Sequence, residues 1–142
     1  MPLNLVKLCV GAESIEDLQT WGRERLANMR SRGEEEMLFH TTRMVPRAET
    51  ELLDGGSLYW VIKGNIQCRQ QLMDIRRFTD DDGIKRCRLM LGPDIVATAW
   101  QPRRAFQGWR YLKDEDAPAD LAAGSHPVPP ELRIKLAELG LL

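Results

Sequence analysis

The chain has 142 residues, of which 43% are hydrophobic and 29% are charged. This balance is typical of a globular protein with one core, and it excludes a disordered or fibrous chain. The formal net charge of −1 hides an asymmetry, because residues 1–113 carry a net charge of +3 and residues 114–142 a net charge of −4. We therefore expect a local anion-binding surface rather than a protein that coats DNA.

The first half of the chain predicts alternating strands and helices. Ser14, followed by acidic residues, is a helix start, since the serine side chain can accept from free backbone N–H groups. Gly64-Asn65 is a two-residue turn signal of the type II′ kind. The expected elements are a strand over 3–10, a helix from 14 to about 32, a strand over 37–43, a short helix over 47–53, a strand over 58–62 and its hairpin partner from residue 66.

The second half predicts a bent strand. Ile66 and Cys68 have one parity and Met73 and Ile75 the other, which indicates a β-bulge near residues 70–72. The further elements are strands over 86–90 and 95–100, an irregular loop over 117–130 and a C-terminal helix over 130–140. We predict an α+β fold in a single domain over residues 1–142. Because a bent strand suits a barrel, we expect a small bent mixed β-barrel of about five to seven strands, with two or three flanking helices and the C-terminal helix.

Targeting and redox features point to an intracellular protein. The first residues lack a signal-peptide cleavage site and no segment approaches roughly 18 uninterrupted apolar residues, so we expect a cytoplasmic protein without a membrane segment. Cys9, Cys68 and Cys87 lie far apart and lack C-x-x-C spacing, and the chain has only two histidines. We therefore expect reduced thiols, no metal site and no cofactor.

Catalytic motifs for nucleotide, hydrolase and zinc-protease chemistry are absent from the sequence. His40 lies on a predicted strand beside Thr42 and Arg43, where an acid or base near a cation is conceivable. No nucleophile or acid partner accompanies it, so a hydrogen-bonded structural role is favoured. We assign no catalytic residue.

Arginines alternate with aromatic residues over 100–111, a pattern that suits phosphate neutralisation combined with base stacking. Arg103, Arg104, Trp109 and Arg110 are the candidate contacts. In the structural alternative, Phe106 and Trp109 fix a loop over the core and the arginines face solvent.

Two stretches resemble the PUA-like superfamily, which includes the EVE and ASCH domains. Leu5-Val6-Lys7 followed by Ser14-Ile15-Glu16-Asp17-Leu18 is similar to the EVE opening. The passage from Thr42-Arg43 through Asp54-Gly55-Gly56 to Leu58-Tyr59-Trp60-Val61 is similar to a second EVE segment. The chain, above all 56–64 and 106–112, also resembles a bacterial family of unknown function.

The PUA-like resemblance implies a pocket between the barrel and the first helix, with Lys7, His40, Thr42 and Arg43 near its mouth. Lys63 and the arginines of 103–110 would then flank a nucleic-acid backbone. Our leading hypothesis is a module without catalysis that binds nucleic acid or a modified nucleotide, with RNA favoured over DNA. The alternatives are a small-ligand binder or enzyme that uses His40 as acid or base in the same pocket, and a protein-interaction domain. The sequence predicts no oligomeric state.

Overall fold

The computed structural model describes residues 2–121. This part of the chain forms seven strands, two helices and a short 3₁₀ turn. Their bounds in chain order are β1 Leu3–Leu8, α1 Ile15–Ser31, β2 Leu38–Thr42, α2 Glu49–Leu53, β3 Ser57–Ile62, β4 Asn65–Thr79, β5 Lys85–Leu91, β6 Val96–Pro102, β7 Trp109–Lys113 and the 3₁₀ turn Asp114–Asp116.

Helix α1 begins where the capping signal predicts. The Ser14 hydroxyl accepts from the backbone N–H of Asp17 at 3.2 Å, and the Asp17 carboxylate accepts from the N–H of Glu13 at 3.0 Å. Two backbone donors that the helix itself cannot satisfy are therefore paired. The helix packs against the core of the sheet through Ile15, which is buried, and through the partly buried Leu18 and Leu26.

The strands form one mixed sheet in the order β2-β5-β4-β3-β1-β7, with β6 beside the first residues of β4. Strands β1 and β3 are parallel, and the other named pairs are antiparallel. Because side chains alternate across a strand, Leu5 and Lys7 face the α1 side of the sheet, whereas Val6 faces a second apolar cluster with Tyr59 and Phe106. This division into two faces separates the candidate binding residues.

Strand β4 bends at a bulge, as the sequence predicts. The pairing of β4 with β5 shifts register between Leu72 and Asp74, which leaves the intervening Met73 49% exposed. The bulge lies just after the expected range. The hairpin turn differs from the prediction by one residue. It consists of Lys63 and Gly64, with φ angles of 49° and 81°, and Asn65 already pairs with Ile62. Two positive φ angles suit a type I′ turn.

The predicted α+β class is confirmed and the seven strands fall within the expected five to seven, but the sheet of the described residues is open and does not close into a barrel. Strands β2 and β7 end the hydrogen-bonded path, and side chains join the two ends. The Trp109 indole donates to the Met44 carbonyl at 2.7 Å. The Tyr111 hydroxyl accepts from the backbone N–H groups of Arg47 and Ala48, at 3.0 and 3.2 Å. The sequence pattern had left β7 unassigned.

The predicted C-terminal helix over 130–140 and most of the predicted loop over 117–130 lie outside the described residues. Within that loop, the segment up to Leu121 bonds to β6 through Ala119 and Leu121. No helix within residues 2–121 is long and apolar enough to cross a membrane. All three cysteines are free thiols.

Candidate functional site

A cavity of about 260 Å³ lies between α1 and the sheet. Its walls include Lys7 of β1, Trp21 of α1, Phe39 and His40 of β2, and Trp60 of β3. The described residues that line it include no aspartate or glutamate. A cavity with a lysine ammonium and no opposing carboxylate favours a neutral or anionic ligand over a cation.

Strand pairing positions the floor of the cavity. Lys7 lies directly beside Trp60 in the parallel pair of β1 and β3. The Trp60 indole donates to the Gln70 side-chain oxygen at 2.8 Å, and the Gln70 amide nitrogen donates to the Gly92 carbonyl at 3.1 Å. Both polar groups are thus satisfied, and the Trp60 ring, 4% exposed, is held in one orientation.

His40 contacts the Trp60 ring edge to face, with 5.3 Å between ring centroids and 85° between planes. Burial, aided by the positive charges of Lys7 and Arg25, lowers the pKa of His40 to about 4. The imidazole is therefore neutral at physiological pH, with one nitrogen donor and one nitrogen acceptor. Such a group can hydrogen-bond a neutral heterocycle, but it is a weak base.

The cavity rim is formed by α1 and the loop that precedes it. Trp21 is 44% exposed, and a side chain at Gly11, whose φ is +91°, would place its Cβ 3.3 Å from the Trp21 ring. Glycine at this position therefore lets the loop pass close to the indole. Arg25 ties the helix to β2, since its guanidinium donates to the Phe39 carbonyl at 3.0 Å.

Other residues predicted at the mouth lie elsewhere. Thr42 is buried, and its hydroxyl lies 3.0 Å from the Met44 carbonyl and 3.1 Å from the Cys87 sulfur. Arg43 is exposed and does not line the cavity. Lys63 lies in the β3–β4 turn with its Nζ 3.8 Å from Glu13. The structure therefore brings Lys7 and His40 together but not the rest of that group.

The arginines of 103–110 lie mainly on the other side of the sheet. We define the Phe106 cluster as Phe106 with Arg103 and Arg110, whose guanidinium carbons lie 5.8 and 5.3 Å from the ring centroid. Arg110 pairs with Val6 in register, so it shares the face opposite to Lys7. Its guanidinium donates to the carbonyls of Gln107 and Trp109 at 2.8 and 3.0 Å.

Two further candidates lie in that segment, Arg104 and Trp109. Arg104 is exposed, with no ion pair among the described residues. Trp109 faces the α1 side but is 4% exposed, and its indole is already bonded to Met44. Trp109 thus joins the two ends of the sheet.

A model of a known protein family matches residues 5–142. The chain belongs to DUF1489, a family of proteins of unknown function. No curated protein and no solved structure matched the chain. Membership of DUF1489 confirms the predicted family of unknown function and brings no activity with it.

In this DUF1489 chain, the sequence patterns missed Trp21, Trp60 and Gln70 as site residues. Trp60 could have been found from the pairing of β3 with β1, the strand that carries Lys7. That pairing was not evident before the topology was known. Trp21 has helical spacing typical of a buried stripe. Its exposure at the rim depends on the path of the loop at Gly11, which no periodicity reports.

Proposed function

We propose that this chain binds nucleic acid, RNA in the first place, by receiving one base in the cavity between α1 and the sheet, without catalysis. Support comes from one observation: the cavity brings two tryptophans, a neutral His40 and the Lys7 ammonium together, with no carboxylate among its described lining residues. A nucleobase is flat and neutral and carries donors and acceptors on its edges. Stacking on an aromatic side chain contributes about 1–3 kcal/mol per base.

The resemblance to EVE and ASCH domains supports the same proposal. We propose that the open sheet is an EVE-like variant of the PUA-like fold and that the base is a modified one. Leu18, Leu38 and Leu91 also line the cavity. They would contact an alkyl group added to the base, and burial of a methyl group favours binding by roughly 0.8 kcal/mol.

Catalysis by His40 has less support. With a pKa of about 4, its imidazole is a weak general base near neutral pH, and no carboxylate among the described lining residues would orient it. A noncovalent small ligand in the same cavity remains the competing proposal. Nucleic-acid binding predicts that affinity increases when the nucleotide is part of a strand, whereas binding of a small ligand predicts no such increase.

The test is direct binding of mononucleotides, with standard and methylated bases, to the full chain. Trp21→Ala removes the exposed rim ring, and Lys7→Met removes the ammonium while it keeps the side-chain length. Each variant is expected to weaken binding about tenfold, equal to about 1.4 kcal/mol.

Lys113→Met, which removes a charge from β7 outside the cavity, is the matched control and is expected to bind normally. Circular dichroism establishes that each variant is folded. If folded Trp21→Ala and Lys7→Met both bind every mononucleotide like the parent chain, the proposal is wrong.

A further inference from the structure

A second arrangement of arginines and aromatic rings lies on the outer face of β2, β5 and β4. The Arg88 guanidinium carbon is 4.7 Å from the Phe39 ring centroid and 4.9 Å from that of Phe78. Arg25 approaches Phe39 as well, at 5.7 Å. We define these four residues as the Arg88 ladder. Because the ladder alternates cations with rings across three strands, it has the chemistry of a surface for phosphates and bases.

Strand register explains the alignment. In the antiparallel pairs of β5, Arg88 is opposite Thr41 on β2 and Arg76 on β4. Phe39 is two residues before Thr41, and Phe78 is two residues after Arg76. The rings therefore occupy diagonal positions on opposite sides of Arg88, where long side chains of neighbouring strands can meet.

The charge of Arg88 is not compensated by an acidic side chain. Within residues 2–121, Arg88 forms no ion pair, although it is exposed and central in the ladder. Neighbouring arginines are paired: Arg76 with Glu35 and Asp74, Arg77 with Glu49, and Arg86 with Asp80. The carboxylates thus neutralise the surroundings and leave one planar cation between two rings.

The ladder is continuous with the cavity. Arg25 and Phe39 belong to both, since they also line the cavity wall. At the other end, Phe78 lines a groove of about 530 Å³ with Arg47 and Lys85. Both of these cations lack an ion pair within residues 2–121. A cationic track therefore runs from the cavity past β2, at the end of the hydrogen-bonded path, and along the outer face of the sheet.

We propose that the Arg88 ladder binds the single strand that continues from the base held in the cavity, an inference that rests on the proposed function. Arg25 and Arg88 contact phosphates, and Phe39 and Phe78 contact the neighbouring bases. A single strand fits because its bases are free to stack, whereas an acidic peptide would use the arginines and leave the rings unused.

The experiment compares two probes on the full chain. A mononucleotide reaches only the cavity, and a labelled single-stranded RNA of about ten nucleotides reaches both cavity and ladder. Arg88→Ala is expected to weaken binding of the oligonucleotide at least fivefold and to leave mononucleotide binding unchanged. The slope of log affinity against log salt should fall by about 0.7, the value for one phosphate contact on a single strand.

Two variants sharpen the comparison. Arg88→Lys keeps the charge but loses the planar group, so it should retain the salt slope and lose part of the affinity. Arg23→Ala removes an exposed arginine of α1 that lies outside ladder and cavity, and it should bind both probes normally.

The outcomes separate the two proposals. If mononucleotide binding depends on Trp21 but Arg88→Ala leaves oligonucleotide binding unchanged, the ladder is wrong and the cavity stands. If Arg88→Ala weakens the oligonucleotide while Trp21→Ala and Lys7→Met affect neither probe, the cavity is wrong and the surface stands alone. No binding of the oligonucleotide at low salt overturns both, and equal, Arg88-dependent binding of oligoglutamate would overturn the assignment to nucleic acid.

Discussion

The Arg88 ladder and the Phe106 cluster have nearly the same composition, but the guanidinium groups of Arg88 and Arg110 have different partners. In the Phe106 cluster, Arg110 donates to two backbone carbonyls of its own segment, so its guanidinium helps to fix that loop. In the ladder, the Arg88 guanidinium contacts two rings and forms neither a side-chain hydrogen bond nor an ion pair within residues 2–121. Alternation of arginine and aromatic residues in the sequence is therefore a poor guide to a binding surface. We base the choice between the two regions on the partners of each guanidinium instead.

The two regions also differ in their relation to the cavity. The ladder shares Arg25 and Phe39 with the cavity wall, whereas no residue of the Phe106 cluster lines the cavity. A strand whose base enters the cavity would meet the ladder first. The following predictions test this difference, beginning with the largest expected effect.

Trp109→Ala tests whether Trp109, within the 100–111 segment, stabilises the fold rather than contacts a ligand. Removal of a buried tryptophan costs about 3–5 kcal/mol, and here it also removes the indole hydrogen bond to the Met44 carbonyl, which keeps the Thr42 hydroxyl as a partner. We expect a loss of this size in the free energy of unfolding, measured by urea denaturation. Trp109→Phe keeps most of the packing and should lose roughly 1–2 kcal/mol. RNA affinity of the folded Phe variant should be unchanged, and a selective loss of affinity would make Trp109 a ligand contact.

Acid should destabilise the cavity side of the sheet through His40. Its pKa is about 4 in the folded chain and near 6.5 when unfolded, so between these values the unfolded state binds a proton that the folded state does not. Stability is therefore lost as pH falls through this window. Between about pH 7.5 and about pH 5 we expect a loss of about 1–2 kcal/mol, after allowance for solvent screening.

His40→Gln should flatten this pH dependence, as urea denaturation at both pH values would measure. The carboxyl groups whose pKa values are lowered by arginines, those of Glu35, Asp80 and Asp120, contribute stability that is lost at lower pH. If the parent chain and His40→Gln lose the same free energy of unfolding between the two pH values, burial does not lower the pKa of His40. The cavity is then more polar than we describe.

Gly22→Ala should stabilise α1 where it faces the cavity. The added Cβ would lie 3.4 Å from a Leu38 methyl carbon, an ordinary contact, and alanine is favoured over glycine inside a helix by about 0.5–1 kcal/mol. Calorimetry should show a rise in Tm of about 2–4 °C. Gly33→Ala, at a φ of +68° after the helix, is the matched control and should lower Tm. A lower Tm for Gly22→Ala would mean that Leu38 cannot adjust.

The smallest expected effect is that of Arg103→Ala combined with Arg104→Ala. Because neither arginine lines the cavity or belongs to the ladder, we expect RNA affinity to fall about twofold, through loss of general positive charge, without unfolding. Anisotropy titration beside Arg88→Ala gives the comparison. A larger loss for the double variant than for Arg88→Ala would reverse the roles of the two regions.

Local signals predicted much of the fold. The Ser14 cap and the parity change in β4 indicated α1 and the bulge, because both depend on residues close in the chain. The hairpin turn was placed one residue late, since a glycine can occupy either central position of a two-residue turn. Strand β7 was missed because Pro102, the arginines and Gly108 obscure a short strand that long-range pairing with β1 stabilises.

The site was predicted only in part, for the same reason. Lys7 and His40 were identified, but Trp60 became a site residue only through the parallel pairing of β1 and β3. Likewise, the Arg88 ladder depends on diagonal neighbours from three strands. These neighbours, Phe39, Phe78 and Arg88, are far apart in the sequence. The 103–110 arginines attracted attention because they are adjacent in sequence.

The most direct test of the central claim uses the four tryptophans as reporters. Two of them, Trp21 and Trp60, line the cavity, whereas Trp100 and Trp109 do not. A ¹⁵N-labelled chain titrated with a mononucleotide gives one indole N–H signal for each tryptophan. We predict that the signals of Trp21 and Trp60 shift in a saturable manner while those of Trp100 and Trp109 stay in place. Saturable shifts confined to Trp100 or Trp109, or no shift at all, would contradict base binding in the cavity.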